Sequence, residues 1–240
     1  MRYKIELSYN GSEYFGWQKQ PNNKTIQQTI EDAFLLIFKD KVEIIGCGRT
    51  DTGVHAKQYF AHFDSKNIFS LVETEKLNKY LPDSINIISI NKTSDNFHAR
   101  FSAISRTYEY YISTSKNPFY NNLSWYIFQK LNVDLMQEAV NQLYNYSDFT
   151  SFSKLHTDVK TNNCKIINAN FTIKEDFIIL RITADRFLRN MVRAIVGTLI
   201  EVGKEKLSVK DFCKIIESKN RCAAGQSVPA KGLFLVSVEY

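Results

Sequence analysis

The chain has 240 residues, 44% of them hydrophobic and 23% charged, with a formal net charge of +6 and an isoelectric point of about 9.0. Such a length holds one large domain or two intimate ones, and the composition is ordinary for a soluble globular protein. No apolar run approaches the roughly 18 residues that a membrane span needs, so a spanning helix is excluded, while the positive charge suggests a polyanionic partner.

Residues 2–9 alternate as a strand from the outset, with no apolar signal-peptide core, so a cytoplasmic protein is expected. A polar loop over 10–24 carries Gly11, Gly16, Trp17 and Pro21. A helix follows with Thr25 as N-cap and Gln28 at capping-box spacing. Ile26, Ile30, Ala33, Phe34, Ile37 and Phe38 recur at helical intervals and predict one buried face.

Next comes Gly46-Cys47-Gly48-Arg49-Thr50-Asp51-Thr52-Gly53-Val54-His55-Ala56. The strand-like Val42–Ile45 leads in and a sheet-like segment from Ala56 to Phe63 leads out. Glycine permits backbone conformations closed to other residues and lets a ligand approach closely. A carboxylate on such a turn is held rigidly and presented outward, as a catalytic acid must be. The competing reading is an ordinary Gly-rich turn with a solvated Arg49 and Asp51. A short helix over 71–81 then stops before Pro82, and Ile85–Ile90 reads as a strand.

The second half has a similar rhythm. Arg106–Thr114 is a strand rich in aromatic and β-branched residues. Val133–Tyr144 is a helix with Leu135, Met136, Ala139, Val140 and Leu143 on one face. Ile166–Ile173 and Phe177–Thr183 form a hairpin across Lys174-Glu175-Asp176. Phe187–Val202 reads as a long amphipathic helix stopped by Gly203. Ser208 and Asp211 start another helix, and Leu233–Glu239 is a closing strand. Two α/β halves, 1–105 and 106–240, are expected to share a sheet and leave a cleft.

Cys47, Cys164, Cys213 and Cys222 form no Cys-x-x-Cys, and His55, His62, His98 and His156 are scattered, so no disulfide or metal is implied. Neither a dinucleotide fingerprint nor a P-loop appears, so no cofactor is expected. The nine arginines are clustered: Arg181, Arg186, Arg189 and Arg193 fall together, and Arg49, Arg100 and Arg106 sit in other motif-like segments.

Three further segments are candidates to meet Asp51. In a strand, Arg106, Tyr108 and Tyr110 share one face, where a ring can stack on a base while the arginine meets phosphate. Tyrosines on strands are also common sheet-face residues. In Phe187–Arg193, Arg189 and Arg193 border a stripe of Leu188, Met191, Val192, Ile195, Val196 and Leu199. An arginine there would need a carboxylate partner: Asp51, or Glu201 or Asp185 in a plain salt bridge. Pro229-Ala230-Lys231-Gly232 turns into the final strand, with Leu233 free to wall a pocket.

Together and in order, these pieces are similar to the bacterial tRNA pseudouridine synthase A family. The matching residues are Gly16-Trp17-Gln18, Gly48-Arg49-Thr50-Asp51 with Gly53-Val54-His55-Ala56, and Phe97-His98-Ala99-Arg100-Phe101-Ser102-Ala103. Arg106 and Tyr108, Met191-Val192-Arg193 with Ile195-Val196-Gly197, and Pro229-Ala230 with Gly232-Leu233 complete the set. Thr52 departs from it, since the family usually has alanine there.

The resemblance implies an α+β fold of two ferredoxin-like, RRM-like halves sharing a mostly antiparallel sheet, with helices packed on it and a basic cleft. It implies a homodimer binding tRNA and converting uridine to pseudouridine at positions 38 to 40 of the anticodon stem-loop. It implies that Asp51 is the catalytic carboxylate, that Tyr108 stacks on the uracil and assists proton removal, and that Arg193 pairs with Asp51. Arg49 would hold the flipped nucleotide and Leu233 would pack against the pocket. Breaking N1–C1′ and forming C5–C1′ needs no redox or group-transfer cofactor. One carboxylate can start it as a nucleophile at C1′ or C6, or as a base at C2′. Two rivals remain: an RNA-binding module without catalysis, and a nucleoside hydrolase needing a second carboxylate such as Glu13 or Asp64. Related synthases with other uridine targets share the same core.

Overall fold

The computed structural model describes residues 1–154 and 160–240, so His156 lies outside the described residues. Two compact units emerge, one of Met1–Ile104 with Phe234–Tyr240 and one of Ser105–Leu233.

In the first unit, β1 (Arg2–Tyr9) buries Tyr3, Ile5, Leu7 and Tyr9, the alternation its sequence predicts. α1 (Ile26–Phe38) begins where the Thr25 hydroxyl accepts from the Gln28 N–H at 3.3 Å. The reciprocal half of the capping box does not form, because Gln28 Nε2 donates instead to Asp32 Oδ1 at 2.5 Å. Ile26, Ile30, Ala33 and Phe34 are buried, and Phe34 packs edge-on against Phe63 with ring centroids 4.9 Å apart.

β2 is only Ile45–Gly46. The expected lead-in strand over Val42–Ile45 is therefore corrected: the Ile44 N–H donates to Glu31 Oε1 at 3.0 Å and is lost to any ladder. β3 (His55–Asp64), α2 (Leu71–Tyr80) and β4 (Ile85–Lys92) follow. A full capping box of Ser70 and Glu73 opens α2. β1 pairs antiparallel with both β3 and β4, and β2 with β3, giving the order β4-β1-β3-β2. With a helix after β1 and another after β3, this is ferredoxin-like wiring.

The second unit starts with β5 (Ser105–Ser113), to which β6 (Trp125–Tyr126) adds in parallel. α3 (Val133–Asn141) gives way to a tighter 3₁₀ turn over Gln142–Asn145, so the expected helix to Tyr144 is shorter. β7 (Ile166–Lys174) and β8 (Phe177–Ala184) form the expected hairpin, with Glu175 left-handed at φ 51°. β8 lies between β5 and β7, antiparallel to both, so the first three principal strands repeat the 1-3-2 order of the first unit.

α4 spans Met191–Gly203, four residues later than expected at its start. Asn190 sits at φ 68°, a conformation that no right-handed helix continues through. Arg189 is thus outside the helix, and the expected four-residue pairing with Arg193 on one edge is not formed. Nor is α4 amphipathic, since every residue except Arg193 and Glu201 is buried. Gly203 ends the helix from within it, where a Cβ would come within 2.5 Å of Met136 Sδ. α5 (Val209–Glu217) opens on the Ser208–Asp211 box.

β9 (Leu233–Glu239) carries the chain back to the first unit, running parallel to β3 with His55 opposite Phe234 and Ala56 opposite Leu235.

Candidate active site

Asp51 lies on the loop between β2 and β3, half-buried, with Arg49 exposed and Thr50 buried beside it. Its backbone is fixed from several directions. The Thr50 hydroxyl is 2.9 Å from the Tyr9 hydroxyl in the interior. The Thr50 carbonyl accepts from the Trp17 N–H at 3.3 Å. Gly16, at φ +85°, lies so close to that carbonyl that a Cβ would meet its oxygen at 2.3 Å. Beyond Asp51, the Val54 N–H closes a turn onto the Asp51 carbonyl at 3.1 Å, and the Gly53 N–H donates to Tyr14 O at 3.2 Å. Gly53 takes φ +78°, which L side chains avoid.

The incoming side of the loop is equally tight. Trp17 stacks on Tyr59 with ring centroids 4.1 Å apart, and both press on Gly46, where a Cβ would meet Tyr59 Oη at 2.0 Å. The Tyr59 hydroxyl donates to Gly48 O, and Cys47 N–H to Phe60 O at 2.8 Å. Gly16-Trp17-Gln18 and the Asp51 loop are therefore one packed assembly, although 30 residues separate Trp17 from Cys47. The stretch read as a polar loop supplies the bed on which the carboxylate rests.

The Phe97–Ala103 motif forms a second fixed loop of the first unit. His98 Nδ1 accepts from the Arg100 and Phe101 N–H groups at 3.2 and 3.3 Å, and His62 Nδ1 from the Ala99 N–H at 3.1 Å. Burial, aided by His98 and Arg2, holds the His62 imidazole down at about 4, so it is a neutral acceptor at ordinary pH.

In the second unit, Tyr108 and Tyr110 point to the same side of β5 but differ in burial. Tyr110 is completely buried, donates to Pro229 O at 2.9 Å, and has its phenol pushed up by that burial. Tyr108 is half-buried, its ring edge-on to Phe187 at 5.1 Å. Arg193, in the first turn of α4, donates from Nε to Val228 O at 2.8 Å, and its carbonyl accepts from the Val228 N–H at 3.2 Å. Tyr110 and Arg193 thus anchor adjacent carbonyls of one segment, which a 3₁₀ turn over Ala230–Gly232 delivers to the buried Leu233. Arg106 donates to Asp185 O at 2.9 Å. The alternative partners for Arg193 are otherwise engaged: Glu201 with Lys204 and Lys206 at 3.1 and 3.4 Å, and Asp185 with the Lys165 and Arg186 N–H groups.

Asp51 and Arg49 belong to the first unit, and Tyr108, Arg193 and Leu233 to the second. Sequence reasoning gave no role to Tyr9, Gly16, Trp17 or Val228. The signal available for the first three was the glycine and aromatic content of residues 9–17, while nothing in Val228 itself marks it out. Among the described residues, no three His, Cys, Asp or Glu side chains gather as a metal site would require.

Comparison with known proteins bears directly on these elements. A family profile described as tRNA pseudouridine synthase matches residues 7–102 and 139–240, which include Asp51, Arg193 and Leu233. A protein of Parabacteroides distasonis named tRNA pseudouridine synthase A is 52% identical, covering 100% of this chain and 96% of its own length. Proteins of the same name from Porphyromonas gingivalis and Clostridium acetobutylicum are 50% and 41% identical, covering 100% and 99% of this chain and 97% and 98% of their own lengths. With the family's profile over most of its length and relatives matching end to end, the chain belongs to the tRNA pseudouridine synthase family.

Proposed function

We propose that this enzyme isomerises uridine to pseudouridine at positions 38 to 40 of the tRNA anticodon stem-loop, with Asp51 as the carboxylate that opens the N1–C1′ bond. The observation that carries this reading is the rigid seat of Asp51. Three segments of the first unit, Tyr9 of β1, residues 14–17, and Tyr59 with Phe60 of β3, hold the loop that carries it, and a group poised this way needs no reorganisation when the substrate arrives.

The target nucleotide leaves the stack at a cost of a few kcal/mol. Tyr108 offers its half-buried ring to the flipped uracil, and Arg49, exposed on the Asp51 loop, holds the displaced strand. Arg193 is the cation for the Asp51 carboxylate. Its Nε bond to Val228 O fixes the plane in which its terminal nitrogens meet an anion. Leu233 walls the pocket and excludes water, which would otherwise trap the sugar as an abasic site. The detached base rotates, C5 bonds to C1′, the C5 hydrogen leaves as a proton, and N1 gains one, so the product is an isomer.

The same reading makes the working enzyme a cytoplasmic homodimer. No helix among the described residues is long and apolar enough to cross a membrane. Net charge of +6 suits a polyanionic substrate.

The test is tritium release from unmodified tRNA labelled at uracil C5, in EDTA, with wild type and Asp51→Asn. Release by the wild type alone, with tRNA binding retained by the variant, is expected. A folded, tRNA-binding wild type that releases nothing would return the chain to the binding-module reading.

A further inference from the structure

We propose that Gln27 and Glu31, one turn apart on α1, are positioning residues that hold the incoming stem of the Asp51 loop in register with the Gly16–Lys19 segment that supports it. The inference rests on Asp51 being the catalytic carboxylate. Both side chains are nearly dry: Gln27 is 6% exposed and the Glu31 side chain 10%. Buried polar groups of this kind are retained where their hydrogen bonds specify one arrangement that apolar packing would leave looser.

Every polar atom of the Gln27 side chain is used. Its Oε1 accepts from the Lys19 N–H at 3.0 Å and from Gln18 Nε2 at 3.1 Å. Its Nε2 donates to Glu31 Oε1 at 2.8 Å. That same Glu31 oxygen accepts from the Ile44 N–H at 3.0 Å, and the other lies 3.5 Å from Lys19 Nζ. A short polar relay therefore runs from residues 18–19 through one face of α1 to residue 44.

Each end of the relay adjoins a support of the catalytic loop. At one end, Trp17 donates to the Thr50 carbonyl, immediately before Asp51. The backbone of α1 reinforces that end, with Ile26 and Gln27 N–H groups on the Gly16 and Trp17 carbonyls at 3.2 and 3.1 Å. At the other end, Ile44 precedes the two residues of β2 that lead into the loop. By drawing off the Ile44 N–H, Glu31 sets where β2 begins. Without the relay, the Lys19 and Ile44 N–H groups lose their partners, and the incoming stem can slide relative to the segment that supports it.

A displacement of about 1 Å at reacting groups can cost ~100-fold in rate while leaving remote binding contacts in place. The experiment compares Glu31→Leu, Gln27→Leu, Glu31→Gln and Asp51→Asn, with kcat, KM and tRNA Kd measured for each folded variant. Glu31→Leu and Gln27→Leu should each lower kcat by roughly 10- to 100-fold with KM and Kd within about 2-fold of wild type. Glu31→Gln keeps an oxygen for Ile44 and Gln27, and should hold kcat within about 3-fold. Wild-type kcat in folded Glu31→Leu would overturn the inference, as would a change confined to KM. Active Asp51→Asn would instead sink the catalytic assignment, so the two failures are distinguishable. Should the leucine variants not fold, hydrogen exchange of the Ile44 and Lys19 amides in the wild type decides: slow exchange is expected, and exchange at the rate of an open loop overturns the relay.

Discussion

Replacing Gly16 with alanine puts one methyl group between two backbones that already touch. At φ +85° an L residue pays about 1–2 kcal/mol for its own conformation. The new Cβ would lie 2.3 Å from the Thr50 carbonyl oxygen, whereas ordinary contact begins at 3.4 Å, so one side must retreat by about 1 Å. The obstacle is backbone, which cannot swing away as a side-chain tip can. Overpacking of this kind adds about 1–3 kcal/mol. Together these destabilise the chain by about 2–5 kcal/mol, which lowers its melting temperature by roughly 4–20 °C. What retreats is the residue preceding Asp51, so single-turnover tritium release should fall about 100-fold even where the variant is fully folded. Gly48→Ala is the contrast for stability, since a Cβ there meets nothing within 4 Å, and its melting point should match the wild type's. A Gly16→Ala protein that melts and turns over as the wild type does would refute the rigid-seat argument.

Two other substitutions probe the supports. His62 titrates near 4 in the folded protein and near 6.5 when unfolded, so the unfolded chain takes up its proton first. Stability from this group is complete above about pH 6.5 and declines as pH falls toward 4, by about 1–2 kcal/mol at pH 5. His62→Gln keeps an acceptor for the Ala99 N–H and should flatten that decline in urea midpoints taken at pH 7 and pH 5; an unaltered slope would place the acid sensitivity elsewhere. Tyr110→Phe removes the phenol that donates to the Pro229 carbonyl and should cost about 1–2 kcal/mol in denaturant unfolding. An unchanged midpoint would mean that the carbonyl finds another donor.

Much of the molecule is legible from local pattern. β1 and β8 follow period-two alternation, a property of a few neighbouring residues. Ser208 and Asp211 announce α5 for the same reason. Long-range interactions defeat the pattern. Val42–Ile45 has the composition of a strand, yet a carboxylate thirteen residues earlier takes its N–H. Phe187–Asn190 continues the apolar stripe of α4, yet Asn190 turns left-handed and the helix begins after it. At the candidate site, Asp51 stands out because glycines surround it, and Tyr108 because arginine and aromatic residues alternate there. Tyr9 and Gln27 are invisible by such means. Each looks like an ordinary strand or helix residue until its partner, Thr50 or Glu31, is seen in space.

The first unit is not contiguous along the chain, and this has a bearing on biosynthesis. Its last strand, β9, is encoded after the entire second unit. A ribosome working from the N-terminus makes residues 1–104 early, yet β3 waits through 129 further residues for the partner that stacks Phe234 on His55 at 4.5 Å. The stretch 105–233 is continuous and can complete its own contacts beforehand. Nascent chains would therefore expose an unsatisfied strand edge beside the Asp51 loop until β9 emerges, a window in which pairing with another chain competes with the correct closure. The unit that carries Asp51 is thus committed late, and a message truncated anywhere before the codon for Phe234 yields a protein in which that unit has never been sealed.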